Sequence, residues 1–113
     1  MSHSVYGEDC QEILNIESND YVQTLGRFTV VEYSHEEPPI SLRVSINLTF
    51  ISVLRAYRCS LEHKDKEKYI LIVKVEQSDP THQNFETKYE GTVVHNKVKR
   101  SWDNLAFLPY FGE

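Results

Sequence analysis

The sequence predicts an α+β fold in which one helix packs across a four- or five-stranded antiparallel sheet. Apolar residues recur every three or four positions over residues 20–34, and they alternate with polar residues in several later segments. The later segments are joined by short connections, which favour antiparallel hairpins. The 113 residues suit a single domain, in which we expect residues 1–11 to form a flexible N-terminal segment.

The first strand and the helix are predicted from the start of this domain. Residues 12–16 form a short apolar run with β-branched side chains, which predicts a strand, and residues 17–20 are rich in helix-capping types. The predicted helix, residues 20–34, then has one apolar face. That face is formed by Val22, Leu25, Thr29 and Tyr33. Gly26 predicts a close approach of the helix to the sheet, because glycine in a helix interior costs up to roughly 1 kcal/mol.

The next segment predicts a long strand with an irregularity. Pro38 and Pro39 are expected to end the helix, because proline lacks an amide donor and restricts the residue before it. Apolar and polar side chains alternate from Leu42 to Phe50, which predicts a half-buried strand. Residues 51–54 are apolar on both faces, which predicts a bulge or a stretch that is covered on both sides.

Three more strands and three polar loops complete the predicted sheet. The strands are residues 69–75, 85–93 and 105–108. The loops are residues 60–66, 77–84 and 96–101. Pro109 is typical of a strand at the edge of a sheet. Because consecutive hairpins reverse the chain direction, the first and third of these loops should lie at one end of the sheet and the second at the other.

Charge and hydropathy limit the classes of partner. The net charge of -5 argues against nucleic acid or an anionic membrane as the main partner. The basic residues Lys97, Lys99 and Arg100 are interpreted as a solvated turn, with a rim contact as the alternative. No apolar run approaches the roughly 20 residues of a membrane span, and the first residues lack a signal-peptide pattern. We therefore expect a cytoplasmic protein as written, or a secreted one if a leader was removed.

The cysteines and histidines do not predict a metal site or a catalytic centre. Cys10 and Cys59 lie far apart and lack metal-ligand spacing, so they are predicted to be free thiols. The five histidines stand singly. An enzyme that uses Cys59 with a distant histidine is an alternative, but a reactive thiol needs a base or a positive field that the sequence does not indicate. We expect no catalytic residue, no metal and no cofactor.

Several segments resemble plant cystatins. The helix sequence Leu25-Gly26-Arg27-Phe28-Thr29-Val30 is similar to the Leu-Ala/Gly-Arg-Phe-Ala-Val-x-Glu signature of that family, and residues 13–16 resemble the strand before it. Residues 48–54 resemble the second cystatin strand, and residues 89–94 and 104–109 resemble the last two. The resemblance covers about residues 13–109 and implies a cystatin-like domain.

The resemblance implies a function and a set of contact residues. Cystatins are reversible inhibitors of papain-like cysteine proteases, and they fill the protease cleft with a glycine-bearing N-terminal segment, a QxVxG hairpin loop and a Pro-Trp loop. The positions that correspond to this protease-binding edge are Gly7, Cys59, Ser60, Leu61, Glu62, His63, Lys97, Val98 and Trp102. Only Leu61 keeps the apolar character of its loop position. Trp102 is either a displaced loop tryptophan or a core aromatic residue.

Two functions remain open at this point. The first is a monomeric inhibitor of papain-like cysteine proteases, or a weakened descendant of one. The second is a non-inhibitory binding module of the cystatin/monellin superfamily with a different protein partner. Monellin, a sweet plant protein, also resembles this chain through its Leu-Gly-Lys-Phe-Ala-Val helix and through Leu48-Thr49-Phe50, and it also lacks QxVxG.

Overall fold

One α-helix and five strands make up most of the part of the chain that the structure, a computed structural model, describes: residues 9–35, 47–62, 64–78 and 83–112. The elements are β1 (Cys10–Glu12), a 3-10 helix (Ile16–Ser18), α1 (Asp20–His35), β2 (Asn47–Ser60), β3 (Lys66–Ser78), β4 (Asn84–Asn96) and β5 (Ser101–Pro109). None of the helices in these residues is long and apolar enough to cross a membrane.

The five strands form one antiparallel sheet, and its strand order is the order of the chain. The predicted combination of one helix and an antiparallel sheet is therefore confirmed. β5 lies at an edge of the sheet, as Pro109 predicted, but it spans Ser101–Pro109 and is longer than the predicted strand of residues 105–108. The helix prediction is also confirmed to within one residue at its end. Asn19 caps α1, since its Oδ1 accepts a hydrogen bond of 3.1 Å from the Val22 N–H.

The core lies between α1 and one face of the sheet. Val22 and Leu25 of the predicted apolar face are 1% and 4% exposed. On the central strand β3, the alternating residues Leu71, Val73 and Val75 are all 0% exposed. The period of two in β3 and the period near 3.6 in α1 thus place their apolar side chains against each other.

Gly26 brings α1 close to the sheet. A Cβ atom added at Gly26 would collide with the Val53 side chain and would lie 3.0 Å from Cε1 of Phe50. The predicted close approach at this glycine is therefore confirmed. Glycine is needed at this position despite its conformational cost, because any larger side chain would push the helix away from β2.

The irregularity predicted for residues 51–54 is confirmed as two register shifts in β2. The shifts lie between Phe50 and Ser52 and between Val53 and Arg55. Between them, the Val53 N–H donates a 3.0 Å hydrogen bond to Oε1 of Gln23, while Gln23 Nε2 lies 3.4 Å from the Val53 carbonyl oxygen. Gln23 Nε2 also donates to the carbonyl oxygen of Ile16 at 2.9 Å. One helix side chain thus satisfies backbone groups of the bulged strand.

The first strand lies earlier in the chain than predicted. β1 ends at Glu12, and Asn15 has a left-handed backbone with φ 56° and ψ 40°. This turns the chain into the 3-10 helix at Ile16, so the strand prediction for residues 12–16 is wrong. The expected flexible segment of residues 1–11 is also too long, because Cys10 and Gln11 pair with β2.

The other strands are longer than the alternation indicated. β3 and β4 include polar residues at both ends, so the loops between strands are shorter than predicted. These polar ends are stabilised by pairing with the neighbouring strand, which a single-strand pattern does not reveal. Pro38, Pro39 and residues 42–46 lie outside the described residues.

Candidate functional site

Two turns meet at one end of the sheet, as the hairpin geometry predicted. The first turn connects β2 to β3 and the second connects β4 to β5. The Lys97 N–H in the second turn donates a 2.7 Å hydrogen bond to the carbonyl oxygen of Asp65 in the first. We call this surface the turn end and define it as residues 61–66, without residue 63, and 96–100.

The second turn is held in one shape by its own backbone and by Asn96. Asn96 Oδ1 accepts hydrogen bonds from the N–H groups of Val98 at 3.1 Å and Lys99 at 3.0 Å. Arg100 then takes a left-handed backbone with φ 55° and returns the chain to β5. The Val98 side chain is 71% exposed, so this turn presents an apolar tip.

Glu67 connects the second turn to the sheet. Its carboxylate lies 3.3 Å from Nζ of Lys97 and 3.6 Å from Nε of Arg58. Because both cations are largely exposed, these pairs contribute little to the free energy of unfolding. Their effect is to orient the side chains between β2, β3 and the turn end.

The N-terminal strand reaches the same end through a disulfide. Cys10 and Cys59 are cross-strand partners in β1 and β2, and their sulfurs are bonded. The Ser60 N–H donates a 3.0 Å hydrogen bond to the carbonyl oxygen of Asp9, the first described residue. The prediction of free thiols is therefore wrong. Spacing gave no sign of the bond, because 49 positions separate the cysteines and only the register of β1 on β2 joins them.

The predicted protease-binding edge is partly collected at this end. Leu61, Glu62, Lys97 and Val98 belong to the two turns. Ser60 is the last residue of β2, while the Cys59 side chain is 1% exposed within that strand. Gly7 and His63 lie outside the described residues.

Trp102 is part of an aromatic cluster and not the tip of a turn. It lies in β5, and its ring stacks on His95 with centroids 3.8 Å apart. Tyr21 and Tyr69 lie 5.7 Å and 6.3 Å away, and the indole packs against the core. Of the two alternatives for Trp102, the structure supports the core aromatic residue. Sequence reasoning missed this cluster, which depends on the register of β3, β4 and β5.

The tyrosines of this cluster border a groove beside the turn end. The groove, of about 370 Å³, is lined by residues of β1, α1, β2 and β3, including Arg58, Tyr21 and Tyr69. Burial raises the pKa of Tyr21, and its hydrogen bond and proximity to Tyr69 raise it further. The phenol therefore stays neutral and serves as a contact and hydrogen-bonding group.

The chemistry available at the turn end is that of contact. Val98 and Leu61 supply apolar surface, and the lysines around them supply positive charge. A second depression, of about 260 Å³, lies between the turns and is lined by Asp65, Lys66, Asn96, Val98 and Lys99. Among the residues that the structure describes, His, Cys, Asp and Glu side chains form no group of three or more suited to a metal ion.

No protein-family model, curated protein or solved structure matches this chain. The α+β arrangement therefore stands on the strand order and on the packing of α1.

Proposed function

We propose that this chain is a cystatin-like domain that binds papain-like cysteine proteases reversibly through the turn end, as an inhibitor or as a weakened descendant of one. The observation that carries the proposal is the meeting of three chain segments at one end of the sheet. The Lys97 to Asp65 hydrogen bond joins the two turns, and the Ser60 to Asp9 hydrogen bond adds the N-terminal strand. This number and placement of segments suit a three-part wedge that enters a cleft.

A wedge of this kind acts by contact and needs no reaction of its own. The turns are fixed by backbone hydrogen bonds, which lowers the entropy lost on binding. Burying the exposed Val98 side chain in a partner contributes about 1.5 kcal/mol. The disulfide removes the Cys59 thiolate that the alternative of a Cys59 nucleophile requires.

The residues of the turn end support weak inhibition of a protease. They also favour the second candidate, a non-inhibitory binding module. Glu62 is exposed in the first turn, and burying its carboxylate in a cleft without a partner would cost several kcal/mol. Lys97 and Val98 occupy the positions of the Pro-Trp loop. A non-inhibitory binding module with another protein partner would use the same surface without closing it into a protease cleft.

A disulfide between two buried cysteines also bears on where the protein acts. Disulfides persist in oxidising compartments and are rare in the cytosol. The Cys10–Cys59 bond therefore favours the secreted alternative over the cytoplasmic one. Alkylation of cell extracts, with and without prior reduction, would measure the fraction of the protein that carries this bond.

Inhibition constants against a panel of papain-like proteases test the proposal. Val98→Ala should weaken inhibition about tenfold, as expected for losing about 1.4 kcal/mol of contact. Phe85→Ala is the matched control, because Phe85 is 46% exposed and lies near the start of β4, at the other end of the sheet. The control should inhibit as the native protein does. A folded native protein that inhibits none of the proteases at micromolar concentration would exclude the inhibitor and leave the second candidate.

A further inference from the structure

Positive charge is concentrated at the turn end, although the chain as a whole carries a net charge of -5. Five of the twelve lysine and arginine residues lie there, against two of the seventeen aspartate and glutamate residues. The basic residues are Lys64, Lys66, Lys97, Lys99 and Arg100, and the acidic ones are Glu62 and Asp65. The rest of the chain is correspondingly more acidic.

Most of these cations are not compensated by a carboxylate. Lys97 pairs with Glu67, whereas Lys64, Lys66, Lys99 and Arg100 form no ion pair with any part of the chain that the structure describes. All four are exposed. At physiological ionic strength, charges within about 8 Å act together on an approaching partner.

Lysines from both turns lie next to an apolar tip. Lys66 from the first turn and Lys99 from the second line the same depression, together with Val98. Lys66 also lies directly opposite Asn96 in the register of β3 and β4. The surface therefore combines one exposed apolar side chain with a lysine from each turn and with the carboxylate of Asp65.

We infer that the partner of the turn end presents an apolar pocket with an acidic rim. Val98 enters the pocket, and the lysines of the two turns face the carboxylates around it. The inference rests on the proposed function for the kind of partner, and it narrows that partner to papain-like proteases whose cleft is bordered by carboxylates. Rim charges of this kind act mainly on the association rate.

A protein fits this surface better than a nucleic acid or a sulfated polysaccharide. Glu62 and Asp65 interrupt the positive field within the turn end itself. The acidic remainder of the chain would repel a long polyanion that extends beyond the turns. A polyanion partner is therefore an outcome that the experiment has to distinguish.

The first measurement uses the short acidic peptide tetra-L-glutamate as the probe and follows backbone amide shifts by NMR at low salt. We expect shifts at residues 64–66 and 96–100, and a loss of at least tenfold in affinity in the double variant Lys64→Glu/Lys99→Glu. The double variant Arg55→Glu/Lys88→Glu carries the same change in net charge at sites away from the turns. It should stay within about twofold of the native protein, since screening confines the effect to nearby charges.

Two results would overturn the inference. One is an absence of shifts at the turn end, or an equal loss of affinity in both double variants. The other is tighter binding of a heparin tetrasaccharide than of tetra-L-glutamate at these residues, which would assign the surface to a sulfated polysaccharide.

The second measurement separates this inference from the proposed function. For any protease that the native protein inhibits, Lys64→Glu/Lys99→Glu should slow association about tenfold at low salt and much less at about 0.5 M salt. If Lys64→Glu/Lys99→Glu associates with the protease as fast as the control variant does, the acidic rim alone is refuted. Binding of tetra-L-glutamate at the turn end without inhibition of any protease would refute the proposed function alone.

Discussion

Removal of the Cys10–Cys59 disulfide is expected to lower the free energy of unfolding by about 4 kcal/mol. The bond closes a loop with a sequence separation of 49 residues. For a loop of that length the chain-entropy relation gives about 14 cal/mol/K, which is about 4 kcal/mol at 25 °C. The double variant Cys10→Ala/Cys59→Ala is preferable to serine, because both side chains are buried and a hydroxyl would lack a partner there.

Urea denaturation followed by circular dichroism measures this loss. The native protein in reducing buffer should approach the stability of the double variant, whereas the double variant itself should not respond to the reductant. A decrease of less than about 1 kcal/mol in the free energy of unfolding would refute the chain-entropy reasoning for this loop. If the double variant also loses stability in reducing buffer, the disulfide is not the cause of the loss seen in the native protein.

Hydrogen exchange of the backbone amides should show that removing the disulfide also lowers stability locally, at β1. The Ser60 N–H, which bonds to Asp9, should exchange faster in the double variant, because β1 has only three residues to hold it on β2. Amides of the central strand β3 should keep their relative protection. Uniform loosening of β1 and β3 would contradict the assignment of the disulfide as the main attachment of the N-terminal strand.

Three further predictions concern α1. Gln23→Ala should lower the free energy of unfolding by about 2–3 kcal/mol in urea denaturation, because it leaves the Val53 backbone groups without their partners. The control Thr24→Ala, at an exposed position, should lower it by less than about 0.5 kcal/mol. Gly26→Ala should destabilise the protein by about 1–3 kcal/mol despite the better helix propensity of alanine, since its Cβ would collide with Val53; an increase in stability would contradict the described packing. Burial raises the pKa of Tyr21, so the folded state favours the neutral phenol: the resulting stabilisation is full below pH 10 and is lost as the pH rises above it. Tyr21→Phe should reduce the decline in stability seen in alkaline denaturation, and the pKa of Tyr89, also raised by burial, accounts for a remaining part.

The helix and the hairpins could be predicted from local patterns. The period of α1 and its Asn19 cap depend on residues within one or two helical turns, and the close approach to β2 is indicated by the glycine at position 26 itself. The meeting of the two turns followed from the reversal of direction in consecutive hairpins. These features need no knowledge of register.

Three features that the sequence missed depend on register. The disulfide requires that Cys10 lie opposite Cys59, and a strand predicted for residues 12–16 conceals that pairing. The stacking of Trp102 on His95 requires the pairing of β4 with β5. The hydrogen bond from the Val53 N–H to Gln23 joins residues that are 30 positions apart, and it depends on the irregular register of β2.

The Gln23 side chain also bears on whether β2 can pair with a strand of another molecule. Among the described residues, β1 covers β2 only along Tyr57, Arg58 and Cys59, so the outer border of β2 at Val53 has no neighbouring strand. Exposed N–H and C=O groups at such a border can recruit a strand from another molecule, as in domain swapping and fibril growth. Gln23 occupies both groups of Val53 from the helix, and the adjacent register shifts bend the strand away from a flat template. A second chain could add at this border only after displacing the Gln23 amide, so access to these backbone groups depends on a residue of the helix.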